Sequence, residues 1–280
     1  MELFFGNKIC TYVLAVKQFI KNFGIVSVHD EHWNAVFGDH FCGGQLCFHS
    51  SGSSVGSGTA RKAQDRVDIL DLFNKFGVGI LSGVAIVLLS QGVTTLDGVI
   101  VTHYDADHAA GVPGLLSRVN TKKIYLPDIA DDGELKKILS ETYLDKVQWV
   151  RENTSVADAI SALTLIAAPV DVTEENESSL CVLFQPENCD ILIIGDRGKT
   201  GEKALIQSLE LPQIELLVAG HHGASNSTSF ELLCAVQPET VVISTGGKYS
   251  HPSGDVLHRL ELFGCDVWRT DLHGTLIFRR

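Results

Sequence analysis

No two cysteines in this sequence stand at the C-x2-C spacing, and their number, seven, is odd. That argues against a disulfide framework and against a cysteine zinc site, leaving buried or free thiols. No stretch rich in proline, glycine and serine is long enough to act as a linker, and no repeat period runs through the 280 residues. One compact α/β domain, long enough to bury a core, is therefore expected. Basic residues are also scarce, with 22 Lys and Arg against 34 Asp and Glu and a net charge of −12. Such a chain lacks the clustered cations that tight, non-specific nucleic-acid binding needs. Divalent metals in a site would restore positive charge locally, so DNA is disfavoured by composition without being excluded.

Long apolar runs are missing as well. The longest, residues 76–89, spans 14 positions and contains Ser82, short of the roughly 20 needed to cross a bilayer. The first 23 residues are interrupted by Lys8, Lys17 and Lys21 and show no small-residue cleavage site. Neither a membrane span nor a signal peptide is read from them.

What is present becomes regular from about Thr94. Residues 96–102 (LDGVIVT) read as a short buried strand, because β-branched residues run together and a polar cluster ends them. A loop is expected over 103–111. Helices are expected over 112–119, 132–142, 203–209, 228–235 and 254–262. Strands are expected over 122–126, 147–150, 163–167, 179–184, 191–194, 216–218, 240–244, 267–268 and 275–278. Alternating strands and helices predict an α/β layered fold, and the consecutive strands between 163 and 194 add antiparallel pairing, so the sheet is mixed. The first 93 residues are less legible: 64–73 reads as a helix, 50–58 is a small-residue stretch, and His29, His32, His40 and His49 read as surface histidines.

Four strand-end clusters carry chemistry. Thr102-His103-Tyr104-Asp105-Ala106-Asp107-His108 packs four potential ligands into six positions directly after a buried strand. Two neighbouring divalent ions need such a density of imidazole and carboxylate. A second apolar strand ends in Gly195-Asp196, a third runs into His221-His222-Gly223, and a loop holds Lys248 and His251. Each of the last three is weak alone. Together they form one edge of ligands.

These motifs, THYDADHAAG, IIGD, HHG and ISTGGKYSHPSGDVLHRL followed by VWRTDLHGTLIF, resemble the metallo-β-lactamase superfamily. Within it they look most like the hydrolase domain of ComEC-type DNA-uptake proteins. The resemblance covers residues 94–280. Residues 1–93 form an atypical N-terminal part, expected to hold the first sheet but lacking the family's usual glycine-rich turns. The resemblance implies an αββα sandwich with mixed sheets and two divalent metals between the strand ends. His103 and Asp105 would hold one metal and Asp107, His108 and His222 the other, with Asp196 bridging them. A superfamily histidine about twenty residues before the Gly-Asp is replaced in that region by Asn176 and Ser179. The ligand set is thus richer in oxygen, which favours manganese, with zinc as the alternative.

The resemblance further implies a phosphodiesterase or nuclease acting on DNA through a hydroxide held between the metals. Asp107 would orient the hydroxide or take its proton. His251 would protonate the leaving oxygen or contact phosphate, Lys248 would contact phosphate, and His221 and Ser227 would support the site. A bacterial, extracytoplasmic setting and a membrane-channel partner go with that family. Two further readings stay open: a hydrolase of a small ester, lactone or phosphodiester, and a catalytically silent remnant or binding module.

Overall fold

The computed structural model describes residues 2–5, 13–15, 24–27, 82–90, 92–130, 133–156, 162–169, 172, 174–185, 189–246, 250–273 and 276–279. The helix expected at 64–73, the stretch 50–58 and His29, His32, His40 and His49 lie outside them. In chain order the strands are β1 Glu2–Phe5, β2 Val13–Ala15, β3 Gly24–Ser27, β4 Thr95–Ile100, β5 Asn120–Pro127, β6 Val147–Val150 and β7 Thr154–Ser155. They continue as β8 Ala162–Ile166, β9 Cys181–Gln185, β10 Ile191–Ile193, β11 Leu216–Val218, β12 Thr240–Ile243, β13 Asp266–Arg269 and β14 Leu276–Arg279. The helices are α1 Ser82–Ser90, α2 Ala106–Ala109, α3 Val112–Leu116, α4 Glu134–Thr142, α5 Lys199–Ser208, α6 Phe230–Val236, α7 Gly254–Phe263 and α8 Thr270–His273.

Strand order is β13-β12-β11-β10-β9-β8-β7 in the largest sheet, β4-β5-β6 in a second and β14-β1-β3-β2 in a third. β10 through β13 pair in parallel, whereas β7 through β10 pair antiparallel, so the large sheet is mixed. The N-terminal strand β1 pairs with β14 at the other end of the described chain, antiparallel, with Glu2 opposite Arg279.

Side-chain alternation along the strands creates four layers. Ile191 and Ile193 face a core shared with Ile100, Tyr125 and Val150 of the β4–β6 sheet. Their neighbours Leu192 and Ile194 face the opposite way, against Leu205 of α5, Leu232 and Val236 of α6 and Leu260 of α7. On the far side of the small sheet, Val99, Ile124 and Leu126 pack on Ala85 and Leu88 of α1, Leu115 of α3 and Leu139 of α4. Two sheets thus enclose one core, and each carries helices on its outer face. The central strands β9 to β12 are buried on both sides, which is why they read as continuous apolar runs rather than alternating ones.

Several boundaries differ from expectation for local reasons. The helix expected over 112–119 stops at Leu116. The loop expected over 103–111 contains the single turn α2. The helix expected from 203 begins four residues earlier, because its N-cap Gly198 has no side chain to offer and Glu177 caps it from another element. The Glu177 carboxylate accepts from the Gly198 amide at 3.0 Å and the Gly201 amide at 2.6 Å. β7 and α8 are too short to carry a periodic signal. Among the described residues no helix is long and apolar enough to cross a membrane.

Candidate metal centre

β4 delivers its chain to a junction between sheets. Val101 donates to the Tyr125 carbonyl at 3.0 Å, and the Thr102 carbonyl accepts from Leu180, at the head of β9, at 2.7 Å. Asp105 then starts α2 with its carbonyl, which accepts from His108 at 2.9 Å and Ala109 at 2.8 Å, while its carboxylate makes no cap bond. That one turn brings His108 back beside His103, ring centroids 4.0 Å apart.

Asp196 enters from the large sheet. Gly195 turns the chain at φ +58° after β10, where a Cβ would come within 2.7 Å of Ser179 Cβ. The Asp196 carboxylate consequently sits among four imidazoles. Its Oδ1 lies 3.2 Å from His108 Nε2. Its Oδ2 lies 3.7 Å from His222, 3.8 Å from His221 and 3.9 Å from His103, each at Nε2. Asp105 is 3.7 Å from His103 Nε2, and Asp107 is 3.3 Å from His222 Nε2. Among the described residues, two groups have ligand atoms within 4.8 Å of one another: His103, His108 and Asp196, and Asp107, His108 and His222.

The imidazoles are oriented from behind. Thr102 Oγ1 lies 3.1 Å from His103 Nδ1 and 3.4 Å from His108 Nδ1. Ser179 Oγ is 3.3 Å from His103 Nδ1 and accepts the Asp196 amide at 3.1 Å. His222 Nδ1 donates to the Ser244 carbonyl at 2.9 Å. With Nδ1 engaged, Nε2 is the nitrogen turned to the carboxylates, which is the arrangement metal-binding histidines adopt. His103 Nε2 is buried with no hydrogen-bond partner. A buried imidazole nitrogen facing carboxylates without a proton donor fits a divalent cation, so the residues present suit the two-metal group.

The electrostatics agree. Burial opposes ionisation of Asp196, but the surrounding His108, His222 and His103 outweigh it and hold the carboxyl far below the usual range. Asp107 is likewise penalised by burial yet lowered to about 2 by its bond to His222 and the charges of His108 and His222. Asp105 is lowered chiefly by the His103 imidazole beside it, against the opposing cost of burial. His251 is pushed down by burial and by His221 and His222.

His221 and His222 share an unusual backbone. Both are left-handed, at φ +46° and +55°, as is Thr228 at +49°. Each non-glycine residue in that region costs roughly 1–2 kcal/mol. Ser227 Oγ donates to the Gly220 carbonyl and Thr228 Oγ1 accepts the Gly220 amide at 3.1 Å, pinning the start of the loop. The His251 ring stands 5.8 Å from that of His221, with Nδ1 buried and unpartnered. Asn176 opens a single turn and its carbonyl accepts the Ser179 amide at 3.0 Å. Lys248 lies outside the described residues.

Of the residues singled out in the sequence, His103, Asp105, Asp107, His108, Asp196, His221, His222 and His251 are brought together, and Ser179 and Ser227 brace them. Arg197, fully buried, was not foreseen. It donates to the carbonyls of Ser179 and Ala167, both at 2.7 Å, and of Gly201 at 3.4 Å. Its signal was present, since a charged residue immediately after a buried Gly-Asp has no easy route to solvent. Glu177 and Glu202 gave no sequence signal, because their partners are remote in the chain.

A family model described as the metallo-beta-lactamase superfamily matches residues 56–247, two thirds of the chain. The chain belongs to the metallo-beta-lactamase superfamily. Among curated proteins it is 30% identical over 206 residues to ComE operon protein 3 of Bacillus subtilis, covering 69% of this chain and 26% of that protein. It is 28% identical over 200 residues to competence protein ComA of Neisseria gonorrhoeae, covering 70% and 27%. To recombination protein 2 of Haemophilus influenzae it is 25% identical over 189 residues, covering 67% and 22%. The chain therefore spans about a quarter of the length of these relatives. The four layers and mixed sheet are the metallo-beta-lactamase fold, which implies a metal-dependent hydrolase binding divalent ions, and the His/Asp groups described above fit that demand.

Proposed function

We propose that the protein is a metal-dependent phosphodiesterase, a nuclease acting on DNA. The observation that carries this reading is the Asp196 carboxylate, buried and within 3.2–3.9 Å of four histidine Nε2 atoms. Asp107, His108 and His222 would hold one ion, His103 and Asp105 the other, with Asp196 shared. His108 Nε2 reaches both groups by distance, but a single nitrogen serves one ion, and Asp107 and His222 complete its set. Divalent ions there supply positive charge that acidifies a water and neutralises charge growing on phosphoryl oxygens. The chain's own residues do the rest. Asp107, ionised and half exposed, accepts a proton from an attacking water or orients it. His251, held neutral at ordinary pH, offers a ring N–H to a phosphoryl oxygen or the leaving group. Lys248, three residues away in sequence, is assigned to phosphate contact.

The oxygen-rich set favours manganese over zinc. The names of the relatives, competence and recombination proteins, support DNA as the substrate class. Because the match covers about a quarter of their length, we assign DNA import to this chain only together with a membrane-channel partner, on the extracytoplasmic side of a bacterial membrane.

The test combines metal content with cleavage of single-stranded DNA in manganese or zinc, using Asp196→Ala as control. Manganese-dependent cleavage lost in the variant supports the nuclease. Two bound ions without DNA cleavage would instead favour a small ester, lactone or phosphodiester substrate, and no bound metal would favour a silent remnant.

A further inference from the structure

Glu202 lies on α5, wholly buried, and its carboxylate bonds the backbone of the loop after the histidines rather than a metal-holding side chain. Its carboxylate accepts the Thr228 amide through Oε1 and the Ser229 amide through Oε2, the latter at 2.8 Å. Arg259, on α7, takes the carbonyls of the same loop: Nε to Thr228 at 3.1 Å, and one terminal nitrogen to Ser227 at 2.8 Å and Ser225 at 3.3 Å. An anion therefore grips the donors of this segment and a cation its acceptors, and Thr228 is held by both. Thr228 is itself left-handed. With Ser227 it occupies both hydrogen-bonding groups of Gly220, the residue before His221 and His222.

We propose that Glu202 and Arg259 are positioning residues that act through Thr228 to hold the His222-bearing loop in its left-handed backbone, aiming His222 Nε2 at Asp107 and Asp196. The proposal rests on the reading of His222 as a metal ligand. Without the clamp, Thr228 relaxes toward ordinary backbone angles, because a β-branched side chain is disfavoured in the left-handed region, and the two histidines lose the anchor that fixes Gly220 before them. A device this far from the ligands is expected where one ligand comes from a strained loop rather than from a strand end. His103, His108 and Asp196 follow directly from β4, α2 and β10 and need no such hold.

Glu202→Gln tests it, since the replacement keeps the volume but turns an amide N–H₂ toward a backbone N–H. Arg259→Lys, at a half-buried position, is the second variant and tolerates the fold more easily. Amide exchange in the metal-free chain should show Gly220, Thr228 and Ser229 losing protection while β10 and β11 keep theirs. Titration with manganese alone and with zinc alone should show one of two ions weakened by about 10- to 100-fold and the other unchanged, with Arg259→Lys smaller in effect. Unchanged affinity in both variants, on a wild type that binds two ions, overturns the clamp while leaving the metal centre intact. Equal weakening of both ions overturns it too, as general loosening of the fold. A wild type that binds no metal removes the metal reading itself, and the positioning role with it.

Discussion

The His222 imidazole donates its Nδ1–H to the Ser244 carbonyl at 2.9 Å, so in the neutral ring the lone pair lies on Nε2, 3.3 Å from Asp107. Ser244 follows β12, the strand beside β11 whose end carries the histidines. The tautomer of one ligand is thus set by the next strand of the sheet. Thr102 Oγ1 stands beside Nδ1 of two further rings, those of His103 and His108, where its hydroxyl can donate or accept.

Replacing Thr102 by valine keeps its shape and removes the oxygen near His103 and His108 Nδ1. Losing such a partner lowers metal affinity or activity by about 10- to 100-fold. Thr102→Val should therefore bind manganese more weakly, measured by calorimetric titration, with little change in the unfolding midpoint of the metal-free chain. An unaltered affinity would show that Ser179 and the packing suffice to orient both rings.

Much of this was legible beforehand because the ligands sit where short apolar runs end. Ile191 to Ile194 announce a buried strand, and Gly195-Asp196 marks its C-terminal end; 102–108 and 218–223 repeat the pattern. What was not legible is what arrives from elsewhere. The start of α5 at Lys199 depends on Glu177, more than twenty positions away, and the left-handed His221 and His222 depend on Thr228, Glu202 and Arg259. Hydrogen bonds across that separation leave no periodicity in sequence.

Metal-free protein should be acid-sensitive through its carboxylates. Asp107 titrates at about 2 in the folded chain against an ordinary 3.8. A depressed carboxyl contributes stability that is complete above its unfolded value and lost as pH falls through the folded one. Asp105 and Asp196 are depressed in the same direction. Melting temperatures in chelator should fall as the pH drops below 3.8, and Asp107→Asn should melt with a shallower dependence over that window. Parallel curves for the two proteins would mean that Asp107 gains nothing from His222 in the folded state.

Gly195 is left-handed, and an added Cβ would meet Ser179 Cβ at 2.7 Å and Thr102 Cβ at 3.2 Å. Backbone strain and overpacking then act together. Gly195→Ala should lower unfolding stability by roughly 1–3 kcal/mol, read from urea midpoints. Because the displaced atoms belong to the two residues that orient His103, metal affinity should drop with it. A variant that is destabilised yet binds metal normally would show that Ser179 and Thr102 can shift without moving the ring.

Arg197 links the halves of the site from below. The residue is 1% exposed, and its guanidinium bonds three carbonyls on three segments, those of Ser179, Ala167 and Gly201. Lysine keeps the charge but carries one nitrogen in place of the planar fork, so it cannot reach carbonyls lying in three directions. Each buried carbonyl left without a donor costs about 1–3 kcal/mol. Arg197→Lys is therefore expected to lose on the order of 3 kcal/mol in metal-free unfolding. It should also loosen Ser179, whose hydroxyl accepts the Asp196 amide, and so weaken metal binding beyond what the lost stability explains. Should Arg197→Lys unfold at the wild-type urea concentration, the three carbonyls must have other partners, and Asp196 is then held by Gly195 and Ser179 alone.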